Sequence, residues 1–276
     1  MNDLAEAFAK AARLIDAADS LIICTGAGMG IDSGLPDFRG PGGFWKVYAA
    51  LGQVKLRFEE IASPATFKSR PTLAWGFYGH RLNLYRSTQP HAGFRMLKDI
   101  ADSLPHRGFV FTSNVDAQFQ KAGFPESMVV ECHGTIHFLQ CLEQCSDGIW
   151  PADGFEPVID EKSCRIVSDM PRCINCGALA RPAILMFNDG DWAEGRTRLQ
   201  SARFSQWRSR AERPVVVEIG AGSSIATVRH FSHSQEAPII RINPTEYQVP
   251  RSTDVGIPTG ALDGVSGIVA ALAELD

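Results

Sequence analysis

Short apolar runs, each ending in a polar or glycine-bearing loop, recur along this chain and restrict the folds open to it. Leu21-Ile22-Ile23-Cys24 passes directly into Thr25-Gly26-Ala27-Gly28. Phe109-Val110-Phe111, Val129-Val130-Glu131, Pro214 to Ile219 and Pro238 to Ile242 are runs of the same kind. Each reads as a buried strand. Helical patterning lies between them. Leu4, Phe8, Ala11, Ala12 and Ile15, for example, share one face of an amphipathic helix over 3–18. Short buried runs alternating with helices predict an α/β fold, with a parallel sheet covered by helices on both faces. Ligands of such sheets bind at the carboxyl ends of the strands. Gly26-Ala27-Gly28, Thr112 to Asp116, Gly220 to Ser224 and Asn243 all fall there.

Two stretches interrupt the alternation. Residues 37–90 read as largely helical, with Pro71 at a first-turn position. Residues 138–181 are rich in Cys, Asp and Pro and show little periodicity. We read them as a helical insert and a small metal-stapled insert within a single domain spanning 1–276. With 276 residues, 45% of them apolar, the chain can bury a sizeable core. A formal net charge of −4 gives no electrostatic case for nucleic acid. No apolar run reaches the roughly 18 residues of a membrane span. The first nineteen residues carry four acids and lack the pattern of a signal peptide, so a cytoplasmic protein is expected.

The cysteines number seven. In a chain that is not secreted, close pairs point to metal or catalysis before disulfides. Cys141-x-x-x-Cys145 and Cys173-x-x-Cys176 both let two thiolates meet one tetrahedral ion. Four thiolates leave no open coordination position, so the expected zinc is structural. Cys164 lies in the same insert as a substitute ligand. Cys132 is excluded as a nucleophile paired to His133, because adjacent strand residues point to opposite faces.

Gly26-x-Gly28 after a strand is, alone, compatible with any strand–turn–helix junction, and Ile31 breaks the dehydrogenase fingerprint. The continuation is more specific. Gly26-Ala27-Gly28 leads to Pro36-Asp37-Phe38-Arg39, followed by Thr112-Ser113-Asn114-Val115-Asp116, by His133-Gly134, and by the two cysteine pairs. In that order the segments resemble the sirtuin family of NAD-dependent protein deacylases, over roughly residues 4–272. The resemblance implies a Rossmann-like domain with NAD and a structural zinc. It implies that Ala27 and Gly28, with Gly26, cradle phosphate, and that Asp37, Phe38 and Arg39 shape the pocket near the nicotinamide ribose. It assigns Asn114 and Asp116, with Ser113 beside them, to the cofactor's ribose and nicotinamide amide, and Asn114 and His133 to catalysis, His133 as a base on a ribose hydroxyl. Gly222-Ser223-Ser224, Asn243 and Ala261 would meet the adenosine side. The zinc ligands would be Cys141, Cys145, Cys173 and Cys176. The sequence departs from the family where Met29 or Gly30 replaces a small hydroxyl residue, where Ser113 replaces Gln, and where the first cysteine pair carries an extra residue.

On the substrate side, Trp75 to Arg81 resembles the Tyr-x-x-Arg of the branch that removes succinyl and malonyl groups. A phenol and a guanidinium, Tyr78 and Arg81, share a helix face and suit an acyl chain ending in carboxylate. Arg181 to Phe187 resembles the substrate strand, with Met186 and Phe187 as contacts. The usual Gly-Glu is Asn188-Asp189 here, and Asn188 and Trp192 are expected to reshape the groove. Arg196, Arg198, Arg203, Arg208, Arg210 and Arg213 stud 192–213, a solvated face or one favouring an acidic partner. The expected activity is removal of acyl groups from protein lysines. The family mechanism has the acyl oxygen attack the nicotinamide ribose, nicotinamide leave, and the acyl group pass to ADP-ribose. The rivals are transfer of ADP-ribose itself to a protein, NAD hydrolysis, and a non-catalytic NAD-binding module.

Overall fold

The structure, a computed structural model, describes residues 2–36 and 57–275. Asp37, Phe38 and Arg39 lie outside the described residues.

Six parallel strands form the main sheet. In chain order they are β1 (Ser20–Thr25), β2 (Gly108–Thr112), β3 (Val129–Glu131), β9 (Pro214–Ile219), β10 (Ile239–Ile242) and β11 (Val255–Ile257). They lie side by side in the order β11-β10-β9-β1-β2-β3. Strand β1 is central and pairs with β2 and β9 in parallel register. Five of the six coincide with the apolar runs. Val255–Ile257 escapes that pattern because a glycine sits between its two apolar residues.

The side chains of β1 show why the runs are continuously apolar. Leu21 and Ile23 enter one core with Ala11, Ile15, Phe94, Leu97, Val265 and Ile268. Ile22 and Cys24 enter another with Phe109, Phe204, Trp207 and Val228. Alternate residues therefore face opposite helical layers, and both layers are apolar. Helices Asn2–Asp16, Ala92–Ser103 and Ala261–Ala273 cover the first face. Gly195–Arg208 and Thr227–His233 cover the second.

A third core belongs to the inserted segments. It joins Phe67, Trp75, Phe77, Tyr78 and Leu82 to Leu139, Ile166 and Ile184. Its helices among the described residues are Phe58–Ile61, Pro64–Ser69 and Pro71–Ser87, the last starting on Pro71. Its sheet is antiparallel: β4 (Gly134–Cys141) lies between β5 (Ile149–Pro151) and β8 (Ala180–Ile184). The regular structure of this insert thus begins at Gly134 and runs to Ile184, past the limits 138 and 181 read from composition. Trp75 Nε1 donates to Ala180 O at 3.0 Å and pins the long helix to β8. Between β5 and β8 a small hairpin, β6 (Ile159–Asp160) with β7 (Arg165–Ile166), packs on the same helix. A Cβ at Gly76 would lie 2.0 Å from Cys164 O, so only glycine admits that approach. Among the described residues, no helix is long and apolar enough to cross a membrane.

Candidate active site

The site begins at the carboxyl ends of β1, β2 and β9, where three loops meet. Gly28 N donates to Gly220 O at 3.1 Å, and Gly26 N to Ile219 O at 3.0 Å. A Cβ at Gly28 would stand 2.6 Å from Gly220 Cα, and one at Gly26 2.7 Å from Gly220 O. Gly220 itself has φ +62°, a left-handed conformation that favours glycine. These glycines let two backbones touch, and the loop from Ala27 onward lies against the strand ends.

Strand β2 is tied to the same loop. Thr25 Oγ1 donates to Thr112 Oγ1 at 2.8 Å, Asn114 N donates to Thr112 Oγ1 at 3.0 Å, and Asn114 Nδ2 donates to Gly26 O at 3.0 Å. The amide of Asn114 is thereby fixed beside the glycine loop. Asp116, two residues on, is buried and accepts one bond from Gln118 N at 3.0 Å. Burial pushes its carboxyl up to about 6. The Glu131 charge adds to this, while the Gln118 N–H and the Arg81 guanidinium oppose it. His133, half-buried, occupies the turn between β3 and β4, and its carbonyl accepts from Leu185 N at 3.0 Å. That bond joins the His133 turn to the segment after β8.

One cavity of about 240 Å³ gathers these residues. Ala27, Ser113, Asn114, Asp116 and His133 line it on the sheet side. Tyr78, Arg81, Met186 and Phe187 line it on the insert side. All nine were singled out from the sequence. Burial pushes the Tyr78 phenol up to about 12, although Arg81 and Arg181 pull it down, so Tyr78 is un-ionised at neutral pH. Arg81 lies 5.3–5.9 Å from the ring centroids of Phe77, Tyr78 and Tyr85. Leu35, Phe58, Ala62, Tyr85, Val115, Ile184 and Ile225 complete much of the wall and were not anticipated. Most are ordinary apolar residues with no local signal. Tyr85 is different: it stands four residues after Arg81 on one helix, a spacing that places the two side by side.

Gly222, Ser223, Ser224, Asn243 and Ala261 lie outside this cavity, at the ends of β9 and β10 and the start of the last helix. Asn243 Nδ2 donates to Ala221 O, and its Oδ1 accepts from Thr245 N and Glu246 N. Its side chain is therefore engaged in shaping the loops. Ser223 N donates to a Glu246 carboxylate oxygen at 3.0 Å.

One expectation about the substrate groove is corrected. Trp192 does not line the cavity. It packs behind β4, where a Cβ on Gly134 would come 3.1 Å from its Nε1. Asn188 adopts φ +53°, a left-handed conformation asparagine tolerates. Asp189 then turns inward to a fully buried pair with Arg181. The two bonds are 2.8 and 2.9 Å, and both side chains have zero exposure. The same carboxylate accepts from Met186 N and Asp191 N. The arginine helix is also less free than its composition suggests. Arg196 engages Glu126 and Glu131, and Arg208 donates to Ala211 O and Gln235 O.

The four paired cysteines converge. The sulfurs of Cys141, Cys145, Cys173 and Cys176 all lie within 4.8 Å of one another. Cys141–Cys176 and Cys145–Cys173 are 3.6 and 3.5 Å apart. A tetrahedron with zinc–sulfur bonds of about 2.3 Å has edges of about 3.8 Å, so the cluster fits zinc in size and donor type. The extra residue in the first pair is accommodated at Gln144, which takes φ +48°. Cys164 is not a member of the group. Its buried thiol, pushed up to about 11 by desolvation, belongs to the hairpin on the long helix.

Comparison with known proteins identifies the family. Residues 26–221 match the model of the Sir2 family, and the chain belongs to that family. It is 26% identical over 258 residues to an NAD-dependent protein deacylase of Aquifex aeolicus, covering 92% of this chain and 96% of the relative. It is 30% identical over 203 residues to the mitochondrial NAD-dependent protein deacylase sirtuin-5 of Canis lupus familiaris, covering 68% and 60%. The solved complex of a Sir2 homologue with NAD superposes with a TM-score of 0.69 at 22% identity, over 96% of this chain and 94% of that one. At that identity the likeness concerns the fold, which is the Rossmann-like fold with inserts expected from the sequence.

Proposed function

We propose that this chain removes acyl groups from protein lysines at the expense of NAD. The observation carrying this reading is the convergence of Asn114, Asp116 and His133 with Tyr78, Arg81, Met186 and Phe187 on one cavity. A nucleotide side and a peptide side meet there at the histidine. The residues fit the nucleotide: the touching glycines at 26, 28 and 220 provide the close backbone approach a phosphate needs. NAD supplies the sugar carbon that accepts the acyl oxygen and the nicotinamide that departs. Asn114, anchored to Gly26 O, orients the ribose, and the Asp116 carboxylate accepts from the nicotinamide amide. His133 takes the proton of a ribose hydroxyl, the role its place at the junction suits. The apolar wall of Leu35, Val115, Ile184 and Ile225 excludes water from the reacting sugar.

The finer assignments belong to the same proposal. Ala27 and Gly28 hold phosphate, the family resemblance assigns Asp37, Phe38 and Arg39 to the pocket near the nicotinamide ribose, and Gly222 to Ser224, Asn243 and Ala261 flank the adenosine. Met186 and Phe187 lie along the acyl-lysine peptide. Tyr78 and Arg81 at the inner wall favour an acyl group ending in a carboxylate. The four cysteines hold a structural zinc, which fits a reducing compartment, the cytoplasm in this reading. The chain acts as one catalytic domain, with the helical and zinc-binding inserts as its substrate-side half.

The test is nicotinamide release with acetyl-, succinyl- and unacylated lysine peptides in parallel, following peptide mass. Release only with acylated peptide, with loss of the acyl mass, is expected. His133→Ala should lower turnover by roughly 10²–10⁴-fold while NAD still binds. Release without acyl loss identifies ADP-ribosyl transfer or NAD hydrolysis instead.

A further inference from the structure

Arg81 does not stand alone in the acyl end of the cavity. Its Nη2 donates to the Tyr85 hydroxyl at 2.6 Å and its Nε to the same oxygen at 3.1 Å. Tyr85 lines the same cavity and is 4% exposed. It is itself fixed. It lies near the end of the helix Pro71–Ser87, and its carbonyl accepts from Lys121 Nζ at 2.6 Å.

The chemistry of this contact is specific. A guanidinium is a planar fork that binds carboxylates end-on or side-on. The Tyr85 oxygen occupies the side-on edge, Nε with Nη2. A carboxylate approaching the guanidinium would then find its plane already set. A tyrosine oxygen is also neutral. It orients the cation without cancelling its charge, whereas an Asp or Glu at the same place would use up the attraction offered to a substrate carboxylate. Packing alone needs no hydroxyl here, since Phe fills the same volume. Long side chains lose rotamer freedom on binding, and prior fixation removes that cost.

We propose that Tyr85 is the positioning residue that makes the acyl pocket selective for carboxylate-ended acyl groups, by holding the Arg81 guanidinium in one plane. The inference rests on the deacylase reading and on its acidic-acyl refinement.

The experiment measures kcat/KM for succinyl- and acetyl-lysine peptides with the wild type, Tyr85→Phe, Arg81→Met and the double variant. Losing hydrogen bonds to a charged group is expected to lower the succinyl-to-acetyl ratio about tenfold in Tyr85→Phe, mainly through the KM for the succinyl peptide. In the Arg81→Met background the same substitution should leave the ratio unchanged, since a positioning residue has nothing left to position. A merely structural tyrosine would lower both activities together, in either background, and that result overturns the proposal. A selective wild type whose ratio survives Tyr85→Phe overturns the role of Tyr85 alone. A deacylase with no preference for the succinyl peptide removes the acidic-acyl refinement and this inference with it.

Discussion

Replacing Asp189 by Ala tests how the substrate side of the cavity is held. Asp189 and Arg181 are both completely buried, joined by two bonds. The carboxylate also accepts from Met186 N and Asp191 N, so four N–H groups converge on it. Removing it leaves a guanidinium in the core with Ile184 O at 3.2 Å as its remaining acceptor among the described residues. Breaking a buried pair from one side costs about 3–5 kcal/mol. Each backbone N–H left unsatisfied adds about 1–3 kcal/mol, offset where water enters. A net loss near 4 kcal/mol is expected, or roughly 10 °C in melting temperature for a chain of this size. Urea unfolding of wild type and Asp189→Ala, with tryptophan fluorescence, measures it. The cavity should respond too, because Met186 and Phe187 line it and Met186 N is held by the Asp189 carboxylate, so KM for an acyl-lysine peptide should rise. A double variant, Arg181→Met with Asp189→Leu, removes both charges and should recover much of the stability. A loss below about 1 kcal/mol in Asp189→Ala would falsify the argument that this pair pins the segment.

Two further outcomes follow from the site. The carboxyl of Asp116 is raised to about 6, chiefly by burial, so it is ionised above that pH and protonated below it. As acceptor for an amide N–H it should fail as pH falls, raising KM for NAD about tenfold between pH 7.5 and 5. Asp116→Asn should flatten that dependence while binding NAD more weakly throughout; a wild-type KM that stays level across the range refutes the assignment. For the thiol cluster, atomic emission should find one zinc per chain. Chelation, or Cys173→Ala, should lower the melting temperature by several degrees and raise the peptide KM, because the cluster joins β4 to the segment leading into β8. Equal melting with and without metal would leave zinc no structural role.

Much of this architecture is written in local pattern. Strands buried on both faces are largely apolar, so five of the six parallel strands stand out as apolar runs, even though β3, β9 and β10 carry the buried charges Glu131, Glu218 and Arg241. Glycines at 26 and 28 stand out because the backbone contact they permit with Gly220 tolerates no Cβ. The cysteines stand out because a tetrahedral ion imposes its own spacing. What was hidden obeys no such rule. Strands β4 and β8 form one layer of a mixed insert. Their residues face partners as different as Trp75 and Trp192, so neither a period of two nor an apolar run appears. The wall residues Val115, Ile184 and Ile225 were illegible for a simpler reason: an apolar side chain that lines a cavity looks the same in sequence as one that fills a core.

Asn188-Asp189 stands where the family resemblance leads one to expect Gly-Glu, and the two residues build a closed turn. Read as letters, asparagine for glycine threatens the chain path, and aspartate for glutamate shortens an acid. In space, Asn188 takes the left-handed conformation that glycine would supply, at the modest cost asparagine bears there. The shorter carboxylate still reaches Arg181 with both oxygens, because the turn brings the backbone of 186–191 around it. The two changes are coupled: the turn at 188 is what aims residue 189 inward. Restoring glycine alone should therefore be tolerated, whereas a β-branched residue at 188 should disrupt the turn and the buried pair together. At this edge of the cavity a left-handed backbone turn is thus closed by a buried ion pair.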